Sequence, residues 1–291
     1  MQLTRRVTLG VVCLATAMLM LDIAVVNTAL PDISRDLNTD LNGLQWVVDA
    51  YTLALASVVL TAGSLADRLG RKRLFIGGLG LFTASSLACA LAGTIEVLDA
   101  ARAVQGLGAA VMFATSLALL ANAFQDAKER AGALAVYGAT IGASFAVGPL
   151  VGGALTSGFG WRSIFLINVP IGLLTIAATV KYVKESRDEH ARKIDWAGQV
   201  VLGGGLFLLV LALLRGNDQG WTSTAIVAEL SAAVVLLAVF GLIESRVREP
   251  MLPLGLFKNR TFAGAQLGVF AISGSFFAIF LYTTLYLQNV L

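Results

Sequence analysis

Among the ionisable residues inside apolar runs of this chain, Asp22, Asp49, Arg102 and Glu229 stand out. A charge at the centre of a bilayer costs at least ~2.5–3.5 kcal/mol on insertion scales, so each is a functional candidate by default. Asp22 has the strongest claim, because a carboxylate in an apolar helix can take up a proton and trade it for a cation. Asp49 stands three residues into the second apolar run, where a solvated acid at a helix start is the alternative reading. Arg102 can pair with a carboxylate or with backbone carbonyls. Glu229 is left without a role. Conventional catalytic sets are missing from the sequence. The one histidine, His190, lies in a charged loop without Cys or His companions, and Cys13 and Cys89 lie in apolar runs. No Ser/His/Asp set, phosphate loop or metal-ligand spacing is present, so neither an enzyme nor an ATP-driven pump is expected, and no metal or cofactor.

Two further strings carry mechanical meaning. Gly63-Ser-Leu-Ala-Asp67-Arg68-Leu-Gly70-Arg71-Lys72-Arg73 joins two apolar runs. Its glycines permit a tight turn. Asp67 can hold nearby guanidinium groups or favour a helix N-terminus. The second string is Gly148-Pro149-Leu-Val-Gly152-Gly153. Proline removes a helical hydrogen bond and kinks a helix, while flanking glycines let a neighbouring helix come close.

The elements that must position these residues follow from composition. The 291 residues are 57% hydrophobic and 13% charged, with a mean hydropathy of +0.80. A soluble domain carries about 25% charged residues. A soluble enzyme, a disordered chain and a nucleic-acid reader are thereby excluded, and the net charge of +3 reads as the basic side of a membrane protein. Nine apolar runs are near the ~20 residues that span hydrocarbon. They fall at 9–30, 46–65, 74–93, 98–123, 132–157, 163–183, 196–215, 222–243 and 261–287. Runs of this length predict helices, because an unpaired strand in lipid strands its backbone groups. The first run is too long for a secretory signal and continues past Asp22.

Basic residues set the orientation. Of the 21 Lys and Arg residues, Arg35, Arg162 and Arg215 fall on one side and Arg102 within a helix. The rest lie on the side of the N-terminus, which is therefore expected in the cytoplasm. Trp46, Trp161, Trp196 and Trp221 all fall near run ends, where amphipathic rings favour the interface.

The 63–73 string resembles the loop signature of the major facilitator superfamily. Three more segments agree. Leu98-Asp-Ala-Ala-Arg102-Ala-Val-Gln105-Gly106-Leu-Gly108 is similar to the family's fourth-helix motif with its membrane arginine. The Gly148–Gly153 string is similar to the antiporter motif. Leu21-Asp22-Ile-Ala-Val-Val-Asn27-Thr-Ala-Leu-Pro31 resembles the first-helix motif of the 14-helix drug:proton antiporters. Departures are small. Ser144 and Ala135 stand where glycine is usual, with Gly142 and Gly138 nearby, and Ala24 stands where threonine is frequent.

The resemblance implies an all-α membrane protein. It comprises a six-helix transport bundle at 1–183, a cytoplasmic loop at 184–195 and an extra helix pair at 196–243. A second cytoplasmic loop at 244–260, with Pro250 and Pro253, precedes the first helix of a second bundle at 261–291. It also implies proton-coupled antiport of lipophilic or cationic small molecules by alternating access. Asp22, Asp49 and Arg102 would serve coupling. Gly63, Asp67, Arg68, Gly70, Arg71 and Lys72 would form a cytoplasmic gate, and Gly148, Pro149, Gly152 and Gly153 a helix seal. The substrate would enter near helices 1, 2, 4 and 5, driven by the proton gradient without a cofactor. The expected setting is the inner or plasma membrane, with the bilayer, protons and a small molecule as partners, no nucleic acid and no obligate protein. Two alternatives stay open: export of another small solute on the same scaffold, and a truncated, non-transporting fragment, since the family pattern has five more helices.

Overall fold

In a computed structural model, residues 2–187, 195–247 and 254–290 are described. His190, Arg192, Lys193, Arg248, Pro250 and Pro253, which the sequence assigns to the two charged joints, lie outside the described residues. The described residues form helices α1 (Gln2–Leu37), α2 (Leu41–Leu69), α3 (Arg71–Ala90), α4 (Ile95–Ala123) and α5 (Ala127–Phe159). These are followed by α6 (Ser163–Leu166), α7 (Asn168–Tyr182), α8 (Trp196–Gln219), α9 (Thr224–Arg246) and α10 (Arg260–Val290). A short 3₁₀ turn, Leu254–Lys258, precedes α10. Among the described residues, eight segments are long and apolar enough to cross a bilayer, with α6 and α7 counted as one. The chain is an integral, multi-pass membrane protein.

Local chemistry fixes the helix starts. Asp40, Thr94, Asp126, Asp195 and Ser223 each accept from a backbone amide in the first turn of the helix that follows. Most helices overrun the apolar runs that foretold them, because polar first and last turns still close their own hydrogen bonds. The largest overrun alters one reading. The 63–73 string is not a loop. α2 runs through Gly63 to Leu69, α3 starts at Arg71, and Gly70 alone joins them. Gly63 is therefore a helical residue facing Ala114, with no turn to make.

The sixth span is divided rather than continuous. Pro170 lacks the N–H that would bond the carbonyl of Leu166, and the chain breaks between α6 and α7 at that point. Pro149 acts differently, since α5 passes through it as one helix.

Helices α1 to α7 pack around two apolar cores, one near Val12, Phe75 and Met112, the other near Ile33, Val47 and Phe165. α1 lies against α5, α2 against α4, and α3 against both α4 and α7. α8 and α9 form an antiparallel pair that leans on α2 through α8. Apolar side chains on the outward faces, such as Leu150, Leu174 and Val234, are exposed, as a lipid-facing surface requires.

Candidate functional site

Close approach of α4 to its neighbours builds the site. A side chain at Gly106 would collide with the backbone carbonyl of Tyr51 on α2. One at Gly108 would lie 2.7 Å from the Phe82 amide nitrogen on α3. Two glycines therefore let both neighbours lie against α4. Tyr51 and Phe165 then lie over the guanidinium of Arg102, with ring centroids 4.3 and 5.8 Å from Cζ.

Arg102 is buried, and its donors are distributed. Nε donates to the carbonyl of Val47 at 2.9 Å. One terminal nitrogen donates to Asp22 Oδ2 at 2.5 Å and to Gln105 Oε1 at 2.7 Å. The other oxygen of Asp22 accepts from Gln105 Nε2 at 2.9 Å and from Asn168 Nδ2 at 3.0 Å. Both amides also donate to Ser86 Oγ, which itself donates to the Phe165 carbonyl at 3.0 Å. Asp22, Ser86, Arg102, Gln105 and Asn168 are all buried. Side chains from α1, α3, α4 and α7 thus meet in one closed network. Each oxygen of Asp22 therefore faces an amide or guanidinium donor.

The sequence offers Arg102 a carboxylate or backbone carbonyls as partners, and the structure supplies both, Asp22 and the Val47 carbonyl. Ser86 and Asn168 went unmarked, and Gln105 was visible only as part of a motif. Asn168 did leave a signal, a carboxamide two residues before Pro170 in an apolar run. The cleft beside Asp22 is lined by α1, α5, α6 and α7, through Leu21, Val25, Leu155, Ile164 and Asn168 among others.

Asp49 is not part of this network. It faces a separate cleft between α2 and α8, with Trp46, Arg215 and Asp218. Glu229, which had no role, accepts from Arg215 at 2.7 Å and ties α9 to α8.

The Gly63–Arg73 string braces one end of the bundle. Asp67 Oδ1 accepts from Nε and a terminal nitrogen of Arg71 at 3.0 and 2.8 Å. The acid at the N-terminus of α3 is not Asp67 but Glu185, from beyond α7. Its carboxylate accepts from the backbone amides of Lys72 and Arg73 at 3.0 and 3.2 Å, the favoured place for an anion. Gly70 makes room for it. Its φ is +106°, and a Cβ there would lie 2.8 Å from the Glu185 carboxylate. Lys72 Nζ donates to the Val180 carbonyl at 2.8 Å. Arg68 is exposed.

The Gly148–Gly153 string lies on α5 against α1. Cβ atoms at Gly148 and Gly152 would collide with Ala24 and Thr28 respectively, while one at Gly153 meets nothing. Ala24, where threonine is frequent in the resembled motif, is thus the residue that fits beneath Gly148.

Comparison with known proteins agrees with this architecture. The family model described as Major Facilitator Superfamily matches residues 12–291. The chain belongs to the Major Facilitator Superfamily. This is a family of transporters rather than enzymes. Among its members, Multidrug resistance protein Stp of Mycobacterium tuberculosis (strain ATCC 25618 / H37Rv) is 42% identical over 293 residues, covering 100% of this chain and 54% of that protein. Methylenomycin A resistance protein of Streptomyces coelicolor (strain ATCC BAA-471 / A3(2) / M145) is 40% identical over 278 residues, covering 94% of this chain and 58% of that protein. The chain spans about half the length of the curated relatives it matches. The solved peptide transporter POT in complex with sulfate shares the fold, with a TM-score of 0.61 at 15% identity over 83% of this chain and 53% of that one.

Proposed function

We propose that this major facilitator segment serves proton-coupled export of lipophilic or cationic small molecules, with its N-terminus in the cytoplasm. The buried Asp22–Arg102 network carries the reading. The ion pair that ties Asp22 on α1 to Arg102 on α4 exists only while Asp22 is an anion. A proton on Asp22 cancels the charge that Arg102 and two amides share, which frees α1 to shift against its neighbours. Loss of the proton on the other side restores the grip. A carboxylate alternating in this way couples helix movement to a proton gradient. Resistance proteins among the relatives support the choice of exported small molecules over other solutes.

The test is efflux of a fluorescent lipophilic cation in everted vesicles under an imposed pH gradient. Accumulation that collapses with the gradient, and that Asp22→Asn abolishes, is the expected result. Gradient-independent movement would overturn the coupling. Orientation is read separately, by labelling Arg68→Cys and Arg187→Cys with a membrane-impermeant maleimide in a background lacking Cys13 and Cys89. Labelling in everted vesicles but not in whole cells is expected, and the reverse would overturn the topology.

A further inference from the structure

Away from the Asp22 network, three helix ends and their links line a second, partly open cavity of about 230 Å³ with polar and basic groups at its rim. Arg5 comes from the start of α1, Asn122 from the end of α4, Gln125 from the link to α5, and Lys184 from just beyond α7. Thr4 adds a hydroxyl, and the buried side chains of Leu119 and Val183 form an apolar wall. Among the described residues, no carboxylate lines this cavity.

Two acids stand close to these basic residues, one paired with Arg5 itself and one turned away. Glu129 accepts from one terminal nitrogen of Arg5 at 2.7 Å, which orients the guanidinium. Glu185 adjoins Lys184 in sequence but is turned onto the α3 amides. Lys184 forms no ion pair among the described residues. A guanidinium, an ammonium, two carboxamides and a hydroxyl therefore converge where a bundle meets water. Guanidinium and ammonium donors suit phosphoryl oxygens, and basic pockets between helix ends hold anionic lipid headgroups.

We propose that this cavity binds a phosphate-bearing anion, either an anionic phospholipid headgroup or free phosphate. Its place at the cytoplasmic leaflet rests on the N-terminal orientation proposed above, whereas binding itself does not. The purified chain in detergent is titrated with dioleoylphosphatidylglycerol or dioleoylphosphatidylcholine and read by native mass spectrometry. One tightly retained phosphatidylglycerol, in preference to phosphatidylcholine, is expected. Arg5→Gln with Lys184→Gln should weaken retention about thirtyfold, at roughly one surface-charge contact each. Arg6→Gln with Lys181→Gln, which removes the same charge outside the cavity, should change it less than threefold on the same scale. Asn122→Leu removes a donor without touching charge or the Glu129 pair, and should weaken retention about fivefold. It carries the test if the double variant fails to fold. Displacement of the lipid by millimolar inorganic phosphate points to a shared anion site, and resistance to it points to the headgroup; both uphold the proposal. Equal retention of the two lipids without phosphate binding, or equal loss in both charge pairs, would overturn it. Retention in micelles with failed cysteine topology would move the site to the other leaflet without removing it.

Discussion

The guanidinium of Arg102 on α4 is bonded to the carboxylate of Asp22 on α1 with both side chains no more than 1% exposed. Neither charge has water to turn to. Removing one partner of such a buried pair leaves the other uncompensated, which typically costs 3–5 kcal/mol. The pair is therefore a structural joint as well as the proposed coupling element, and the two roles predict different readouts.

Asp22→Asn keeps the shape and the amide contacts but removes the charge. Membrane insertion should persist, because the helix becomes more apolar. The thermal midpoint in detergent should fall, and proton-driven efflux should be lost. Normal proton-driven efflux by the Asn variant would remove Asp22 from the coupling mechanism.

Arg102 should not accept lysine. Its Nε reaches the Val47 carbonyl while a terminal nitrogen reaches Asp22 and Gln105, and its plane lies over Tyr51. An ammonium is a point charge without the planar fork. Transport by Arg102→Lys should stay close to that of Arg102→Ala at matched expression. Wild-type rates in the Lys variant would reduce Arg102 to a simple counter-charge.

Much of this was legible in the sequence, for physical reasons. Bilayer-length apolar runs leave helix as the only backbone solution, so the spans and their order could be read directly. The Gly148–Gly153 string announced a close helix contact, but that α1 makes it, and that α2 lies against Gly106, came only with the fold. Polar partners were harder to find. Ser86 and Asn168 look unremarkable alone and matter only because α3 and α7 bring them to Asp22. Glu185 lies 115 residues from Gly70, and no local pattern links them. Asp49 shows the opposite limit. An acid in an apolar run draws notice, but its sequence does not say whether it faces the Asp22 network or, as here, a separate cleft against α8.

Gly70 and Glu185 should behave as one unit. Gly70→Ala forces a left-handed φ on a residue with a Cβ and drives that atom into the Glu185 carboxylate, a cost of about 1–2 kcal/mol or more. Glu185→Ala leaves the Lys72 and Arg73 amides without their anion, at about 1 kcal/mol. Thermal unfolding of both single variants and the double variant gives the coupling. The double variant should lose less than the two losses added together, because the collision disappears with Glu185. Strict additivity would mean that Gly70 is needed for its φ alone.

The α5 glycines should rank by what lies opposite each. At Gly148 an added methyl meets the Cβ of Ala24, which has no rotamer to escape into. At Gly152 it meets Thr28 Oγ1, which can rotate, and the backbone of Val25 at 3.1 Å, which cannot. At Gly153 it meets nothing. Overpacking of this kind costs about 1–3 kcal/mol, whereas alanine in open helix gains up to ~1 kcal/mol over glycine. Gly148→Ala should therefore lower the thermal midpoint most and Gly152→Ala somewhat less, while Gly153→Ala should hold or raise it. A proton-leak assay on the same variants separates packing from sealing. If α5 against α1 is the seal, leak should appear in the first two variants and stay absent in the third. Equal midpoints for all three would show that the α1–α5 contact is looser than its geometry implies.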